Sequence, residues 1–388
     1  MIRIERVELD PELEKFQPEW DALLEKSTKP TVFSTYDFFF TSCSHFKEDE
    51  QVFLLFMRDD ATRELLAIYP LSLDRERVHG VEIKVLAHGI TTYATDIDKP
   101  YPIIREGCEE ACWTAFRDWL ATMEVTWDVL DYDEFLPGSY LTTRLSELFP
   151  FPRYWTRISE GPESPIVRLD GDWDTFWMAH RKLRKKTRRL EKVMGDNLVY
   201  QIKQDPADVD QCLSDYIATE LISWKAGRFV SHPAKQKFYR DLLPKLAAKN
   251  RLVFGMLYDR DKVVSIEVAY LFSDRVFFAH GTYDPAYADL SPGTVNSGWL
   301  IRFLHGKGYT EGDYLAGFSS YNNPWACRIE QSVDVVVRRM GWKNWYLAGC
   351  HLASRLKRRA ARFFTRPQDK ATGGEDPVGA SPEDKGDS

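Results

Sequence analysis

Glu267 is the residue of this chain whose surroundings most clearly suggest chemistry. It is the one acid within the apolar run Val263–Tyr270, which has the composition of a buried strand. Burying a carboxylate without a partner is costly, so this side chain must either face a cleft or find a partner. A carboxylate that faces a cleft can accept a proton from a bound substrate. Glu267 is therefore a candidate general base or acceptor ligand.

Two further ionisable side chains close the next predicted strand, Arg275–Gly281. They are His280 and Tyr283. A histidine in this position would titrate near neutral pH and could serve in proton transfer. A structural hydrogen bond is an equally good interpretation of His280, and both remain open at this point.

A Pro-Gly loop follows these residues and opens a predicted helix, Thr294–His305. The first turn of a helix has N–H groups without an intrahelical partner and carries partial positive charge, so it can bind a diphosphate. Pro292 fixes φ, and Gly293 lets the backbone approach a ligand closely. This loop is a candidate phosphate-binding element.

A strongly basic helix is predicted upstream, between Asp172 or Asp174 as N-cap and Gly195. Eight of the twelve residues from 181 to 192 are Lys or Arg, and only Glu191 opposes them. Like charges four residues apart destabilise an isolated helix. The cations could bind the phosphates of coenzyme A, a phosphorylated or nucleotide-linked acceptor, or an RNA 3′ end; the alternative is a solvated face. The candidate ligands of such an anion are Arg181, Arg184, Lys185 and Arg188.

The predicted elements that hold these residues alternate between strands and helices in both halves of the chain. This order indicates an α/β (α+β) fold with mixed central sheets flanked by helices. Gly161–Pro165 has the composition of a linker, so we place a boundary there. The predicted divisions are residues 1–162, residues 163–345, a basic amphipathic helix at 346–366 and a disordered acidic tail at 367–388.

Several segments together resemble the CelD-type (cellulose-biosynthesis) acetyltransferases of the GNAT superfamily, which are related to Fem-type aminoacyltransferases. The segments are Thr31–Asp37, the basic helix, Trp224-Lys225 and the block Tyr283–Trp325. The resemblance covers roughly Trp20 to Trp325. It implies two GNAT-like folds in tandem, with acyl-CoA bound by the second.

The resemblance also implies roles for particular residues. Asp313 matches an acid of the family and would be an acceptor or structural carboxylate, and Tyr321 could donate a proton to the leaving thiolate. Ser320 and Asn322 stand where relatives carry charged residues beside that tyrosine, which implies an acceptor different from theirs. Acceptor contacts would come from Tyr93, Asp96, Trp224 and Lys225, and acyl-CoA contacts from Leu290, Ser291, Pro292, Gly293, Thr294, Asn296 and Ser297.

These features predict an N-acyltransferase that moves an acyl group from acyl-CoA to a sugar or lipid (sphingoid-type) amine, in envelope or exopolysaccharide biosynthesis. Acyl-CoA would be a co-substrate, with no permanently bound cofactor. A Fem-like enzyme that uses aminoacyl-tRNA is the alternative, and a non-catalytic GNAT-fold adaptor is the third possibility. No nucleophile elbow, Walker loop or Gly-x-Gly-x-x-Gly motif is present.

The bulk properties predict a cytoplasmic globular protein. The net charge of −7 argues against general nucleic-acid binding, including DNA. Six scattered cysteines without a C-x-x-C pair predict reduced thiols, and the histidines have no metal spacing, so we predict no metal. The N-terminus lacks a signal-peptide core, and no apolar run approaches the roughly 18 residues of a membrane span. Aromatic residues and cations from residue 345 to 366 could place the protein peripherally on the inner face of a membrane.

Overall fold

The computed structural model describes residues 1–9, 11–46, 51–89, 98–99, 101–123, 126–227, 230–316 and 324–350. The chain divides into two compact units, Met1–Gly341 and Trp342–Ser388. The second unit is described as far as residue 350, and residues 342–350 are helical. The rest of the predicted amphipathic helix and the whole acidic tail lie outside the described residues.

Thirteen strands in the described residues form one mixed sheet. Most are short alternating or apolar runs that suit a pleated, half-buried surface. The strands are β1 (Ile2–Glu8), β2 (Gln51–Asp59), β3 (Leu65–Val78), β4 (Val81–His88), β5 (Ile103–Ile104), β6 (Val129–Phe135), β7 (Tyr154–Arg168), β8 (Leu198–Lys203), β9 (Leu252–Asp259), β10 (Lys262–Phe272), β11 (Arg275–Tyr283), β12 (Glu311–Asp313) and β13 (Arg328–Arg339).

The helices of the first unit cover both faces of this sheet. Within the described residues they are α1 (Gln17–Glu25), α2 (Tyr36–Phe46), α3 (Glu109–Thr122), α4 (Tyr140–Leu148), α5 (Trp173–Ala179), α6 (Arg181–Met194), α7 (Val209–Leu221), α8 (Pro233–Ala248) and α9 (Pro292–Gly306). The described part of the second unit is α10 (342–350).

The order of the strands across the sheet is β1-β2-β3-β4-β6-β13-β7-β12-β11-β10-β9-β8, with β5 beside β3. Each half of the chain contributes an antiparallel run that ends in one parallel pair, β4 with β6 and β11 with β12. A helix connects the two strands of each parallel pair, α3 in the first half and α9 in the second. The two halves therefore repeat one arrangement of strands and connecting helix, and the predicted mixed α/β class is confirmed.

The two halves exchange their last strands. β13 pairs with β6 of the first half, β7 pairs with β12 of the second half, and β7 and β13 pair with each other. The expected linker Gly161–Pro165 lies inside β7, and a Cβ on Gly161 would be 2.6 Å from Ser332 Oγ on β13. Glycine here permits a close approach of two strands. The division of the chain near residue 162 stays an interpretation.

The largest apolar cluster joins the halves on one face of the sheet, between the strands and helices α1, α2, α7 and α8. Phe33 from the first half lies edge-on to Phe277 of β11, with ring centroids 5.6 Å apart. Phe38 of α2 lies similarly against Phe238 of α8, at 5.9 Å. A second cluster covers the other face beneath α3 and α4, and a third lies beneath α6 and α9.

The single helix predicted between Asp172 and Gly195 is two helices, which corrects that expectation. Asp172 accepts a hydrogen bond from Thr175 N at 2.7 Å and so caps α5. His180 has φ −95° and ψ 60°, outside the helical region, and separates α5 from α6. Gly195, at φ 52°, ends α6 as predicted. Leu183, Thr187, Leu190 and Met194 form its buried stripe, as their spacing predicts.

Among the helices of the described residues, none combines the length and apolar character that crossing a bilayer requires.

Candidate functional site

A cleft of about 240 Å³ opens beside the N-terminus of α9. β11 and β12 are paired from Arg275 to Phe277 and do not pair beyond this point. Residues that follow the paired stretch on both strands line the cleft, so the cleft lies where the two strands separate. Its lining consists of Ser223, Trp224, Lys225, Glu267, Gly281, Thr282, Tyr283, Gly293, Thr294, Ser297, Tyr314, Pro324 and Trp325.

Glu267 lies at the centre of β10 and faces α9. Its cross-strand neighbours are Gly255 on β9 and Gly281 on β11. A Cβ on Gly281 would be 2.6 Å from Glu267 Oε2, so the carboxylate occupies the space that a side chain would otherwise fill. Glycine on the neighbouring strand thus makes room for an acid in the middle of the sheet.

The environment of Glu267 makes its carboxyl group a weak acid. Burial raises the pKa of Glu267 to about 8, while a hydrogen bond with Ser297 and the charge of Lys225 act in the opposite direction. Only 4% of the residue is exposed, yet it lines the cleft. A carboxyl group with a pKa near neutrality that faces a cavity is suited to take up a proton from a substrate.

Lys225 reaches the same region from the turn that follows α7. Its Nζ donates to Gly281 O at 2.7 Å. Burial lowers the pKa of Lys225, and the nearby Glu267 and Glu220 counter that effect. Ser231 Oγ holds the turn by donating to the fully buried Glu220 at 3.0 Å and accepting from Gly227 N at 2.8 Å. The turn therefore presents a cation at a fixed position beside Glu267.

The N-terminus of α9 forms the opposite wall of the cleft. Ser291 has a left-handed conformation (φ 53°, ψ 49°), Pro292 follows as the first helical residue, and no side chain of the described residues caps the helix. Val295 N donates to Ser291 O at 3.2 Å. The preceding N–H groups belong to Gly293 and Thr294, which both line the cleft. This arrangement can bind a phosphate or diphosphate.

A β-bulge interrupts the pairing of β10 with β11 close to Glu267. Val268 pairs with His280 and Ala269 with Phe278, so Ala279 has no opposite residue. A bulge disrupts the ladder and leaves backbone groups of the extra residue without their usual partner. Such N–H groups can stabilise the developing oxyanion of an acyl-transfer reaction.

His280 lies on the other face of the sheet from Glu267. Its Nε2 is 2.8 Å from Tyr239 OH on α8, and its ring also lies near Tyr216 of α7. It is not among the residues that line the cleft. The two interpretations of His280 from sequence are thus distinguished by position: the structure supplies the hydrogen bond and separates the imidazole from Glu267.

Asp313 is fully buried in a network that joins the two halves. Lys99 Nζ donates to Asp313 Oδ2 at 2.6 Å and to Glu330 Oε1 at 3.0 Å, and Leu315 N donates to Asp313 Oδ1 at 2.8 Å. Burial alone would lower the pKa of Lys99, but the two carboxylates outweigh it and raise that pKa. Asp313 has the environment of a structural carboxylate.

The remaining residues proposed from sequence divide into four groups. Tyr283 lines the cleft and packs against Gly293. A Cβ placed on Gly293 would lie 3.4 Å from Tyr283 Cδ1. Asn296 lies beneath the cleft, where its Nδ2 donates to Gly255 O at 2.9 Å, and Leu290 packs in an apolar cluster. The cations Arg181, Lys185 and Arg188 of α6 are exposed. Tyr93, Asp96 and Tyr321 lie outside the described residues.

Residues that sequence reasoning did not single out complete the cleft. Trp325 is nearly buried, stacks on Trp177 of α5 at 6.1 Å and contacts His180 at 5.8 Å. A Cβ on Gly298 would overlap its ring, so glycine on α9 makes room for it. Gly281, Thr282, Tyr314 and Ser223 were also missed. The signal for Gly281 was its interruption of an apolar strand.

In the described residues no group of three His, Cys, Asp or Glu side chains could hold a metal ion.

Comparisons with known proteins agree with this geometry. Residues 179–323 match the family model of the acetyltransferase (GNAT) domain, and they contain α6 to α9 and the strands around the cleft. No curated protein matches the chain.

Solved structures share the fold across most of the chain. The crystal structure of FemX has a TM-score of 0.59 at 9% identity and covers 88% of this chain and 99% of its own. A conserved protein of unknown function from Bacteroides thetaiotaomicron has a TM-score of 0.54 at 10% identity, covering 88% and 100%. The C-terminal domain of a putative lysylphosphatidylglycerol synthetase from Agrobacterium fabrum has a TM-score of 0.50 at 11% identity, covering 86% and 94%.

Proposed function

We propose that this cleft transfers an acyl group from an acyl-CoA thioester to an amine. The observation that carries the proposal is a buried glutamate, Glu267, with a pKa of about 8 in the same cleft as the uncapped N-terminus of a helix. The first supplies a base near the working pH, and the second supplies a site for the diphosphate of coenzyme A. The match of residues 179–323 to the GNAT acetyltransferase domain supports this assignment.

The reaction follows from the positions of these groups. The diphosphate binds the N–H groups of Gly293 and Thr294, and the pantetheine arm follows the gap between β11 and β12. The amine attacks the thioester carbonyl, Glu267 accepts the proton that the amine loses, and the C–S bond breaks. Backbone N–H groups at the bulge around Ala279 stabilise the oxyanion. The departing thiolate takes up a proton, for which Tyr283 and Tyr321 are the candidate donors.

The acceptor belongs to the class of amines with an apolar or ring-shaped body. Trp224, Tyr314 and Trp325 line the cleft. Aromatic side chains of this kind bind sugar faces and alkyl chains. The resemblance to CelD-type acetyltransferases supports a sugar or lipid (sphingoid-type) amine of the envelope or of exopolysaccharide, and a site of action at the inner face of the membrane.

Transfer from aminoacyl-tRNA is the second candidate. The likeness to FemX supports a fold that is shared with such enzymes, and the cations of α6 would bind RNA phosphates. Phosphate binding of this kind weakens steeply as salt increases. Donor use at high and low salt therefore separates the two candidates.

Titration calorimetry with acetyl-, octanoyl- and palmitoyl-CoA tests the donor. We expect micromolar binding that Gly293→Glu abolishes, because the new carboxylate would occupy the anion site. Gly293→Ala is the matched control: a Cβ there meets only Tyr283, at 3.4 Å, so binding should be retained. Failure of all three donors to bind would refute the acyl-CoA assignment, and a preference for palmitoyl-CoA would indicate a lipid product.

A further inference from the structure

The two rims of the cleft carry features that the transfer reaction does not explain. On one rim the end of α7 and the residues that follow it expose three large apolar side chains, Leu221, Ile222 and Trp224. Ile222 is 60% exposed and Trp224 is 65% exposed. Ser223, Trp224 and Lys225 line the cleft. The segment thus borders the cleft with Trp224 and two polar residues, while Leu221 and Ile222 present apolar surface to solvent.

Helix α6, which begins beside the cleft, carries a row of cations. Arg181, Lys185, Arg188 and Lys192 recur at helical spacing, on the side opposite the buried stripe, and all four are exposed. Lys182, next to Arg181 in the first turn, is exposed as well. No cation of α6 forms an ion pair with any residue that the structure describes.

This ridge of cations begins at the cleft. His180, which precedes α6, contacts Trp325, and Trp325 lines the cleft. Met178, at the end of α5, is 68% exposed, and Arg184 Nη1 lies 2.6 Å from its sulfur atom. An exposed apolar side chain therefore lies beside the cations on this rim also.

Exposed apolar side chains are unfavourable in water, and the clustered cations repel one another, so one partner that binds both would relieve both. Apolar side chains next to cations suit an anionic bilayer, in which the cations attract lipid headgroups and the apolar groups enter the acyl boundary. RNA would satisfy the cations alone, because aliphatic side chains such as Leu221, Ile222 and Met178 gain little from phosphate or ribose. The combination favours a lipid surface over a nucleic acid.

We propose that the mouth surface, formed by Met178, Arg181, Lys182, Lys185, Leu221, Ile222 and Trp224, docks on an anionic lipid bilayer. Docking would place the opening of the cleft against the membrane, so that an amphiphilic amine enters from the lipid phase without crossing water. The docking itself is independent of the chemistry in the cleft; the lipid amine as acceptor rests on the function proposed above.

Vesicle sedimentation tests the docking with the full chain. Phosphatidylcholine vesicles with and without phosphatidylglycerol should be compared for the wild type, for Lys182→Glu/Lys185→Glu and for Leu221→Ser/Ile222→Ser. We expect binding to the anionic vesicles, reduced about 30-fold or more by the charge reversals. The serine variant should also lose binding to the anionic vesicles, because fewer apolar side chains enter the acyl boundary.

Matched controls come from exposed residues elsewhere. Arg75→Glu/Arg77→Glu changes the net charge by the same amount on the exposed part of β3, and Ile158→Ser/Ile329→Ser removes two exposed isoleucines from β7 and β13. Both should bind vesicles as the wild type does. Equal losses in the test and control variants would overturn the proposal, since net charge or total apolar exposure would then explain the binding.

Two other results would also overturn it. One is binding that survives the α6 and Leu221/Ile222 changes but is lost in Arg355→Glu/Arg358→Glu, which would move the docking to the C-terminal segment. The other is that the wild-type protein binds transfer RNA in a salt-sensitive way and does not bind the vesicles.

Activity distinguishes this proposal from the proposed function. If acyl transfer occurs, Leu221→Ser/Ile222→Ser should keep its rate with a short soluble amine and lose rate with a vesicle-embedded amine. Vesicle binding without any acyl transfer would leave the docking intact and refute the function.

Discussion

The carboxylate of Glu267 lies over Gly281, its cross-strand partner. If Gly281 had a Cβ, that atom would be only 2.6 Å from Glu267 Oε2. The same glycine accepts the Lys225 hydrogen bond through its carbonyl oxygen. One residue without a side chain therefore makes room for the acid and positions the cation beside it. This relationship leads to the first two predictions.

Glu267→Gln should lower kcat/KM about 10²- to 10⁴-fold, which is the usual contribution of a general base. The wild-type rate should rise with pH through about 8, the pKa of Glu267, and this step should vanish in the variant. Release of free coenzyme A measures both, and use of one amine for both proteins removes the effect of its own ionisation. Ser297→Ala should move the step to higher pH, because the Ser297 hydrogen bond lowers the pKa of Glu267. An unchanged profile in Glu267→Gln would assign the base elsewhere.

Gly281→Ala should reduce activity by displacing the Glu267 carboxylate, at a cost in stability of about 1–3 kcal/mol for the added group. Gly312→Ala is the matched control, since its Cβ would be 2.6 Å from the Phe278 ring and outside the cleft. Chemical denaturation and the pH–rate profile separate the two variants. We expect similar losses of stability, with the altered profile confined to Gly281→Ala. An altered profile in both would show that the effect is not local.

Local patterns predicted part of this site, and long-range pairing determined the rest. An acid in an apolar strand and a Pro-Gly helix start are readable within a few residues, and the structure brings Glu267 and Gly293 into one cleft. The face occupied by His280 depends on the bulge and on the register of β10 with β11. Sequence periodicity alone does not specify either.

The fold shows the same division. The order of strands and helices follows from hydrophobic periodicity, and so does the mixed α/β class. The exchange of β7 and β13 between the halves does not, because it pairs residues such as Val335 and Ile158 that are far apart in the chain. The contact of Lys99 with Asp313 is of this kind as well. A local pattern indicates that a buried acid needs a partner, and only the fold identifies that partner.

Lys99→Met should destabilise the protein by about 3 kcal/mol, because it removes the cation that Asp313 and Glu330 share. This value is the lower end for a broken buried ion pair, because Arg275 still lies 3.7 Å from Asp313 and Arg328 lies 3.4 Å from Glu330. Adding Asp313→Asn should restore part of the loss by removing the more deeply buried of the two charges. Urea denaturation of the single and double variants measures this coupling. If Asp313 were instead a catalytic acid, Asp313→Asn would abolish activity in folded protein at low temperature while leaving the stability nearly unchanged.

The raised pKa of Glu267 also predicts how stability depends on pH. The folded protein holds a proton on this group up to about pH 8, whereas the unfolded chain releases it near 4.5. The folded state therefore binds more protons between these values, and the contribution of Glu267 to stability falls as pH rises through that window. Glu267→Gln lacks this loss, so its stability relative to the wild type should increase from pH 5 to pH 9, by at most about 5 kcal/mol.

Glu330→Gln provides a control for that measurement, because the pKa of the Glu330 carboxyl group is shifted in the opposite direction. Burial would raise the pKa of Glu330, but the charge of Lys99 and its hydrogen bond outweigh burial and lower it. Its contribution is therefore present above the unfolded pKa and is lost as the solution becomes acidic. Urea midpoints should be measured at pH 5 and pH 9. The stability of Glu267→Gln relative to the wild type should increase between these pH values, and the relative stability of Glu330→Gln should not. Parallel behaviour of all three proteins would mean that Glu267 is ionised in the folded state at neutral pH, and a base of that kind could not produce the pH step near 8.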